Sequence, residues 1–81
     1  MAAQSDASIG LHMAFVGKVV RDARRGRFSV EDLSARAGVS SGLISQVERG
    51  LGNPSVTTLL KLARALDLPL NAFFEAPLSA R

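Results

Sequence analysis

Apolar residues recur at intervals of three and four along most of the chain, which is the spacing expected for helices with one buried face. The first such stripe extends from Ile9 to about Arg25, and a turn from Gly26 to Phe28 follows it. Its apolar members are Leu11, Phe15, Val16, Val19, Val20 and Ala23. Residues 1–8 are small and polar, so we expect a flexible N-terminal tail there.

Two short helices are predicted after this turn. Ser29 precedes the second apolar stripe and Asp32 stands three residues later, a variant of the capping box that begins a helix. Gly38 is expected to end this helix, because glycine adopts the left-handed conformation at little cost. Ser40 is the predicted N-cap of the third helix, which ends at Gly50. The two helices are therefore separated only by a tight turn.

Two further helices complete the pattern. Gly, Asn and Pro residues predict a loop over residues 51–54, and Ser55 is the expected cap of a fourth helix rich in leucine. Pro69 permits a last short helix over residues 70–75, whose apolar side chains would face the core. Because no stretch alternates in the manner of a strand, the pattern predicts a compact, all-α bundle of five helices.

Composition limits the architecture further. The chain has 81 residues, is 47% hydrophobic and lacks cysteine and tryptophan, so burial rather than disulfide bonding must stabilise it. We predict one domain over residues 9–75 and a C-terminal tail over residues 76–81. No apolar run approaches the roughly 20 residues of a membrane span, and no signal-peptide pattern is present. We therefore expect no membrane partner and a cytoplasmic location.

The positive charge is concentrated near the end of the first predicted helix. The formal net charge is +3, and only Asp22 opposes the basic residues of that segment. Those residues are Lys18, Arg21, Arg24, Arg25 and Arg27. Such a cluster is typical of proteins that bind nucleic acids or anionic surfaces. A solvated helix face explains it equally well at this modest net charge, so charge alone does not choose between them.

Signals of catalysis are nearly absent. His12 is the only histidine, cysteine is missing and the carboxylates are not clustered, so neither a nucleophile–base pair nor a usual metal-ligand set is indicated. Residues 10–18 weakly resemble a phosphate-binding loop, but their spacing is too long and Val19 replaces the required hydroxyl. We expect no enzyme activity, no cofactor and no metal.

The third predicted helix has an unusual outer face. Its polar positions are small and uncharged, and they include a glycine that costs a helix roughly 1 kcal/mol relative to alanine. Short side chains let a helix approach base edges in the DNA major groove, where glutamine can bond adenine through two hydrogen bonds. The residues concerned are Ser40, Ser41, Gly42 and Gln46. An ordinary solvated surface is the alternative, but it does not explain a glycine combined with an absence of charge.

The segment over residues 33–75 closely resembles the phage-repressor and Cro-like family of helix-turn-helix domains, also called the xenobiotic response element family. The matching residues are Leu33, Ala37-Gly38-Val39-Ser40, Ile44-Ser45, Glu48-Arg49-Gly50, Asn53-Pro54, Leu59 and Ala63-Arg64-Ala65-Leu66. The stretch GLISQVERG is most similar to bacterial members that carry a small-molecule-sensing cupin domain, although no cupin sequence is present. The resemblance implies a lambda-repressor-like fold that binds double-stranded operator DNA as a homodimer.

The resemblance also implies roles for single residues. Ser41, Gly42 and Gln46 match base-reading positions, with Ser40 at the edge of that set. Positions that contact phosphates in the family correspond to Ser29, Arg49, Gly52 and Asn53. Glu48 matches a glutamate that pairs with an arginine of the first helix, for which Arg24 is the best partner. Val30 departs from the pattern, because many relatives place a phosphate-contacting glutamine there.

The end of the chain offers a candidate dimer contact. A core of this size need not bury every apolar side chain of the last predicted helix, and a remainder is expected to form a dimer seam. The candidates are Leu70, Phe73, Phe74 and Leu78. The competing interpretation places both phenylalanines in the core. As a whole, the sequence predicts a DNA-binding transcriptional regulator, and the alternative is an antitoxin-like helical bundle that binds another protein.

Overall fold

The computed structural model describes the backbone of residues 5–74 and the side chains of residues 12–74. That part of the chain contains four α-helices and one short 3-10 helix, with no strand. The elements are α1 (Ser5–Arg24), α2 (Val30–Ala37), α3 (Ser41–Glu48), α4 (Val56–Leu66) and the 3-10 helix (Leu70–Phe73). None of the described helices combines the length and apolar character needed to cross a bilayer. The all-α class is confirmed.

Serine caps begin the three later α-helices, as predicted. The Ser29 hydroxyl accepts a hydrogen bond of 3.0 Å from the Asp32 amide, and the Asp32 carboxylate accepts one from the Ser29 amide, which completes a capping box. The Ser40 and Ser55 hydroxyls accept equivalent bonds from amides three residues later. Gly38 ends α2 in the left-handed conformation with φ of 71°. These caps define the turn between α2 and α3.

The first helix begins earlier than predicted. It starts at Ser5 rather than Ile9, so it includes residues 5–8, which the sequence assigned to a flexible tail. Extending an existing helix is far easier than nucleating one, so these four residues continue α1 although only Ala7 among them is a strong helix former. The remaining tail predictions, residues 1–4 and 76–81, lie outside the described residues.

The last element also differs from the prediction. Residues 70–73 form a 3-10 helix instead of a fifth α-helix. Helix α4 ends at Leu66, its C-cap Asp67 is in the left-handed conformation, and Pro69 precedes the short last element. A 3-10 helix needs fewer residues per turn and is common in such short connecting pieces.

Every described element contributes side chains to one core. The largest completely buried side chains are Val16, Val20, Leu33, Ile44, Val47, Leu62, Leu66 and Phe73. Helix α3 packs against α1 and α2, while α4 packs against α1, α2 and the 3-10 helix. Since α1 and α2 cover the inner side of α3, its opposite side faces outward.

The contact between α1 and α3 is unusually close. A Cβ atom at Gly17 would overlap the carbonyl oxygens of Val47 and Glu48. A Cβ atom at Gly50, directly after α3, would lie 3.3 Å from the Cα atom of Ala14. Backbone therefore meets backbone at both positions, and only glycine at position 17 leaves room for this approach. The C-terminal end of α3 is held tightly on α1.

Candidate nucleic-acid interface

Helix α3 has a buried side and an open side. Ile44, Val47 and Glu48 are buried against α1 and α2. Among the residues predicted to read bases, Gly42 and Gln46 are exposed in α3. Ser41 is half-buried at the start of the helix, and the exposed Ser40 hydroxyl accepts a 3.1 Å hydrogen bond from the Leu43 amide. The structure thus brings the four predicted residues together around the outward side and N-terminus of α3.

Gly42 has no structural reason to be glycine within the described chain. It is the second residue of α3, and a Cβ atom built there would meet nothing within 4 Å. Glycine is unfavourable in a helix by roughly 1 kcal/mol relative to alanine, because it loses more backbone entropy on folding. Gly42 consequently weakens α3, and it leaves an uncharged outward surface from which no side chain protrudes at this position. Such a surface suits a close approach by another molecule.

Arg24 and Glu48 form a two-point ion pair between the end of α1 and the end of α3. The Nε and Nη2 atoms of Arg24 donate to the two carboxylate oxygens of Glu48 at 2.6 and 2.9 Å. The Nη1 atom of Arg24 donates to the carbonyl oxygen of Phe28 at 3.1 Å. Glu48 is only 8% exposed and Arg24 15%. One guanidinium group therefore joins α1, the turn before α2 and α3.

The electrostatic effect on the arginine follows from this geometry. The hydrogen bond to Glu48 raises the pKa of Arg24 above its ordinary value, although partial burial acts in the opposite direction. The contact with Glu48 therefore stabilises the charged form of Arg24. Since a buried charge is costly without its partner, the pair fixes the position of α3 against α1.

The residues predicted to contact phosphates are all exposed. Arg49 caps the C-terminus of α3, and Gly52 and Asn53 lie in the loop that follows. A Cβ atom at Gly52 would be 3.5 Å from the Oε1 atom of Gln46, so this loop borders the open side of α3. Ser29 lies at the N-terminus of α2, and no hydrogen bond in the described part joins it to the other three. Their contact with DNA stays a prediction.

The predicted dimer seam is only partly available. Phe73 is completely buried, so its assignment to the seam was wrong and it belongs to the core. Phe74 is 51% exposed, and its ring stacks on His12 with centroids 5.6 Å apart. Successive residues of a 3-10 turn point about 120° apart, which explains why adjacent phenylalanines differ. Leu70 is partly buried against the core, and Leu78 lies outside the described residues.

Two residues near α3 were missed from the sequence. Gly17 permits the close contact between helices. The signal available in the sequence was a glycine within a predicted helix, next to Val16 of its apolar stripe. Arg21 lines an open cleft of about 380 Å³ between α1 and α3, together with Ser45, Glu48 and Arg49. Nothing in the sequence distinguished Arg21 from the other basic residues of α1.

Comparison with known proteins identifies a matching family and similar regulators. The family model described as Helix-turn-helix matches residues 20–73. The HTH-type transcriptional regulator SutR of Escherichia coli is 34% identical over 67 residues, which are 82% of this chain and 38% of SutR. The HTH-type transcriptional regulator SlrR of Bacillus subtilis is 35% identical over 63 residues, covering 75% of this chain and 41% of SlrR. The chain thus spans about two fifths of the length of these relatives, at 38% and 41%.

A solved structure extends the likeness to the fold. The restriction-modification controller protein C.AhdI from Aeromonas hydrophila superposes with a TM-score of 0.72 at 33% identity, over 76% of this chain and 96% of that one. The matched residues 20–73 include all of α2, α3 and α4 as well as Arg24 and Glu48. The helix-turn-helix resemblance seen in the sequence is confirmed, and the chain belongs to the helix-turn-helix family.

Proposed function

We propose that this chain is a sequence-specific DNA-binding module of a transcriptional regulator, with α3 inserted into the major groove of its operator. One observation carries the proposal: Gly42 lies open on the outward side of a helix whose other side is tightly anchored. A glycine that the fold does not need, on a face without charge, fits a surface shaped for base pairs. The names of SutR and SlrR, both HTH-type transcriptional regulators, support the same function.

The rigid attachment of α3 supports sequence reading. Recognition of bases requires polar groups that are already positioned, because ordering them on binding reduces affinity. The Arg24–Glu48 pair and the glycine contact at position 17 both fix α3 before DNA arrives. Gln46 would donate and accept hydrogen bonds at a base edge, Ser41 would contribute a hydroxyl, and Gly42 would let the helix backbone come close. Ser40 would lie at the edge of the contact.

Phosphate contacts would place the reading helix in register. Arg49 supplies a guanidinium group, and the backbone amides around Gly52 and Asn53 can donate hydrogen bonds to phosphate oxygens. Ser29 caps α2, and its hydroxyl, which accepts from the Asp32 amide, can still donate its proton to a phosphate oxygen. These contacts would supply affinity without sequence preference. The proposal requires no catalytic group, cofactor or metal.

A selection experiment tests this function. Duplexes recovered from a random library with the wild-type chain should share a motif, and binding should weaken steeply as salt concentration rises. Fluorescence anisotropy with the recovered duplex and a scrambled duplex would measure both properties. A chain that enriches no motif and binds both duplexes equally contradicts the proposal. An antitoxin-like bundle that holds a partner protein through apolar contacts would give that result.

We also propose that the chain acts as a homodimer. One short helix covers too few base pairs to mark a unique site, whereas two copies would place their reading helices about 34–36 Å apart. Phe74 is the best-supported contact because half of its surface is exposed, with Leu70 beside it and Leu78 as a further candidate. Sedimentation velocity at micromolar concentration, with and without a palindromic duplex, should detect a dimer. A Phe74→Ala chain that dimerises as strongly as wild type contradicts this seam.

The resemblance of GLISQVERG to cupin-linked regulators supports a further proposal about the whole protein. The chain would then be the DNA-binding part of a longer regulator that responds to a small molecule. Its coverage of 38% of SutR is compatible with such an arrangement, whereas C.AhdI, covered over 96%, is similar in length to this chain. Sequencing the gene beyond the codon for Arg81 would test it, and a stop codon there would contradict it.

A further inference from the structure

The cleft between α1 and α3 has a lining unlike that of a small-molecule site. Four residues line it: Arg21 from α1, then Ser45, Glu48 and Arg49 from the second half of α3 and its cap. Sites for small organic ligands are mostly apolar with a few polar groups, whereas this lining is three charged side chains and a hydroxyl. The chemistry favours an anion with several acceptor oxygens.

The charged side chains of the cleft that lack an ion-pair partner in the described structure are positive. Glu48 contributes a carboxylate, but Arg24 already occupies both of its oxygens at 2.6 and 2.9 Å. Within the described part of the chain, neither Arg21 nor Arg49 has a carboxylate partner. Asp22, the acidic neighbour of Arg21 in sequence, is bound to Lys18 at 3.0 Å instead. Two guanidinium groups therefore remain available to one site.

The cleft borders the proposed reading surface. Ser45 directly precedes Gln46 and follows Ser41 by one helical turn, so the side of α3 next to α1 adjoins its outward side. A helix lying in the major groove has a sugar–phosphate strand on each flank. The flank toward α1 would bring one such strand to the mouth of the cleft.

We propose that Arg21, Ser45 and Arg49 together bind one backbone phosphate of the operator, which makes α1 part of the DNA interface. Guanidinium groups match phosphate geometry through paired N–H donors, and the Ser45 hydroxyl can donate a further hydrogen bond. Arg21 is half-buried, so its charge is less screened by salt than that of a fully exposed residue. The inference rests on the proposed DNA-binding function and adds Arg21 and Ser45 to its contacts.

Salt dependence of Arg21→Ala provides the main test. The probes are the duplex selected with the wild-type chain and a scrambled duplex of equal length. Loss of one of the two guanidinium groups on this phosphate should make the slope of log K against log salt shallower, by at most roughly 0.9. Affinity should fall by a similar factor for both duplexes, because a phosphate contact carries no sequence information. The melting temperature should not change, since Arg21 makes no side-chain hydrogen bond in the described structure.

A matched control separates a local contact from general charge. Lys61→Ala removes one positive charge from an exposed position on α4 and should change the slope less. Replacing single phosphates of the selected duplex with neutral methylphosphonates should reveal one position that weakens wild-type binding. The same replacement should weaken binding less in the Arg21→Ala chain, in which only Ser45 and Arg49 still contact that phosphate. Equal slopes for the two variants, or an unchanged methylphosphonate pattern, would overturn the inference.

Two further outcomes are distinguishable. A wild-type chain that binds no duplex would overturn both this inference and the proposed function, whereas specific binding with an unaltered Arg21→Ala slope would overturn this inference alone. Inorganic phosphate, compared with chloride at equal ionic strength, is the probe for a free anion. If it raises the melting temperature of wild type but not of Arg21→Ala, and the DNA slopes are equal, the cleft binds free phosphate instead of DNA.

Discussion

Two glycines near α3 have opposite surroundings. At Gly17, on α1, an added Cβ atom would overlap backbone oxygens at the end of α3. At Gly42, on α3 itself, an added Cβ atom would meet nothing within 4 Å. Gly17 lies in the interior of α1, where glycine is normally unfavourable by roughly 1 kcal/mol, and Gly42 lies in the first turn of α3. The first is explained by packing inside the molecule, and the second is not.

The difference separates the two sides of α3. On the side toward α1, backbone contact at Gly17 and the Arg24–Glu48 pair hold α3 in place, so Gly17 and Glu48 serve the fold. On the outward side, Gly42 meets no internal requirement, and we propose that it serves contact with DNA. Packing within the fold therefore requires glycine at one of these positions and not at the other, depending on the atoms around it.

Breaking the ion pair on the closed side should have the largest effect. Glu48→Gln leaves the Arg24 charge without its carboxylate in a largely buried position, and we expect a loss of about 3 kcal/mol in the free energy of unfolding. Urea denaturation would measure it. Asp22→Asn is the matched control, because it removes a carboxylate from an exposed pair with Lys18 and should change stability little. A Glu48→Gln chain as stable as wild type would show that the pair is not structurally important.

Gly17→Ala should be the next most damaging change. The added methyl group must push α3 away from α1, and overpacking of this kind costs about 1–3 kcal/mol. Without the overlap, replacing glycine with alanine would stabilise the helix. A loss of stability would therefore show that the overlap is present. Thermal denaturation followed by circular dichroism at the helix band would measure the loss. A stabilised chain would mean that α1 and α3 lie further apart than described.

Gln46→Ala tests the open side. We expect operator binding to weaken by about 1–3 kcal/mol while the free energy of unfolding stays unchanged, because the side chain is exposed. Competition between operator and scrambled duplexes would measure discrimination. Reduced thermal stability with unaltered discrimination would place Gln46 in the scaffold instead of the reading surface.

Gly42→Ala should have the smallest effect on the fold and an opposite sign to Gly17→Ala. Alanine removes backbone entropy from the unfolded chain without a clash, so unfolding should cost about 0.5–1 kcal/mol more. Operator affinity should fall if DNA approaches this point closely. Denaturation and anisotropy on the same preparation would test both. A chain that is more stable and binds operator equally well would leave the glycine unexplained.

Much of the local structure was predictable because it depends on neighbours in sequence. The serine caps and the left-handed Gly38 follow from hydrogen bonds between residues at most five apart. The Arg24–Glu48 contact came from family resemblance instead, since residues 24 apart cannot be paired by local rules. The start of α1 was missed because a composition of small residues favours both a tail and a helix extension.

The candidate site was only partly predictable. The open face of α3 was evident from its small, uncharged residues, and the structure brings those residues together. The cleft at Arg21 was not evident, because it depends on how α1 crosses α3 and on Arg24 occupying Glu48. Phe73 and Phe74 are chemically identical, and only the 3-10 turn places one inside the core and the other at the surface.

The sequence by itself determined where the later helices begin, which faces are apolar and which helix carries an unusual surface. These properties depend on helical periodicity and on bonds within one turn. The tertiary structure decided that Gly17 is a contact point, that Glu48 is buried and that Arg21 and Arg49 share one cleft. Each of those facts depends on the distance between two helices, which is set by side-chain and backbone packing rather than by spacing along the chain.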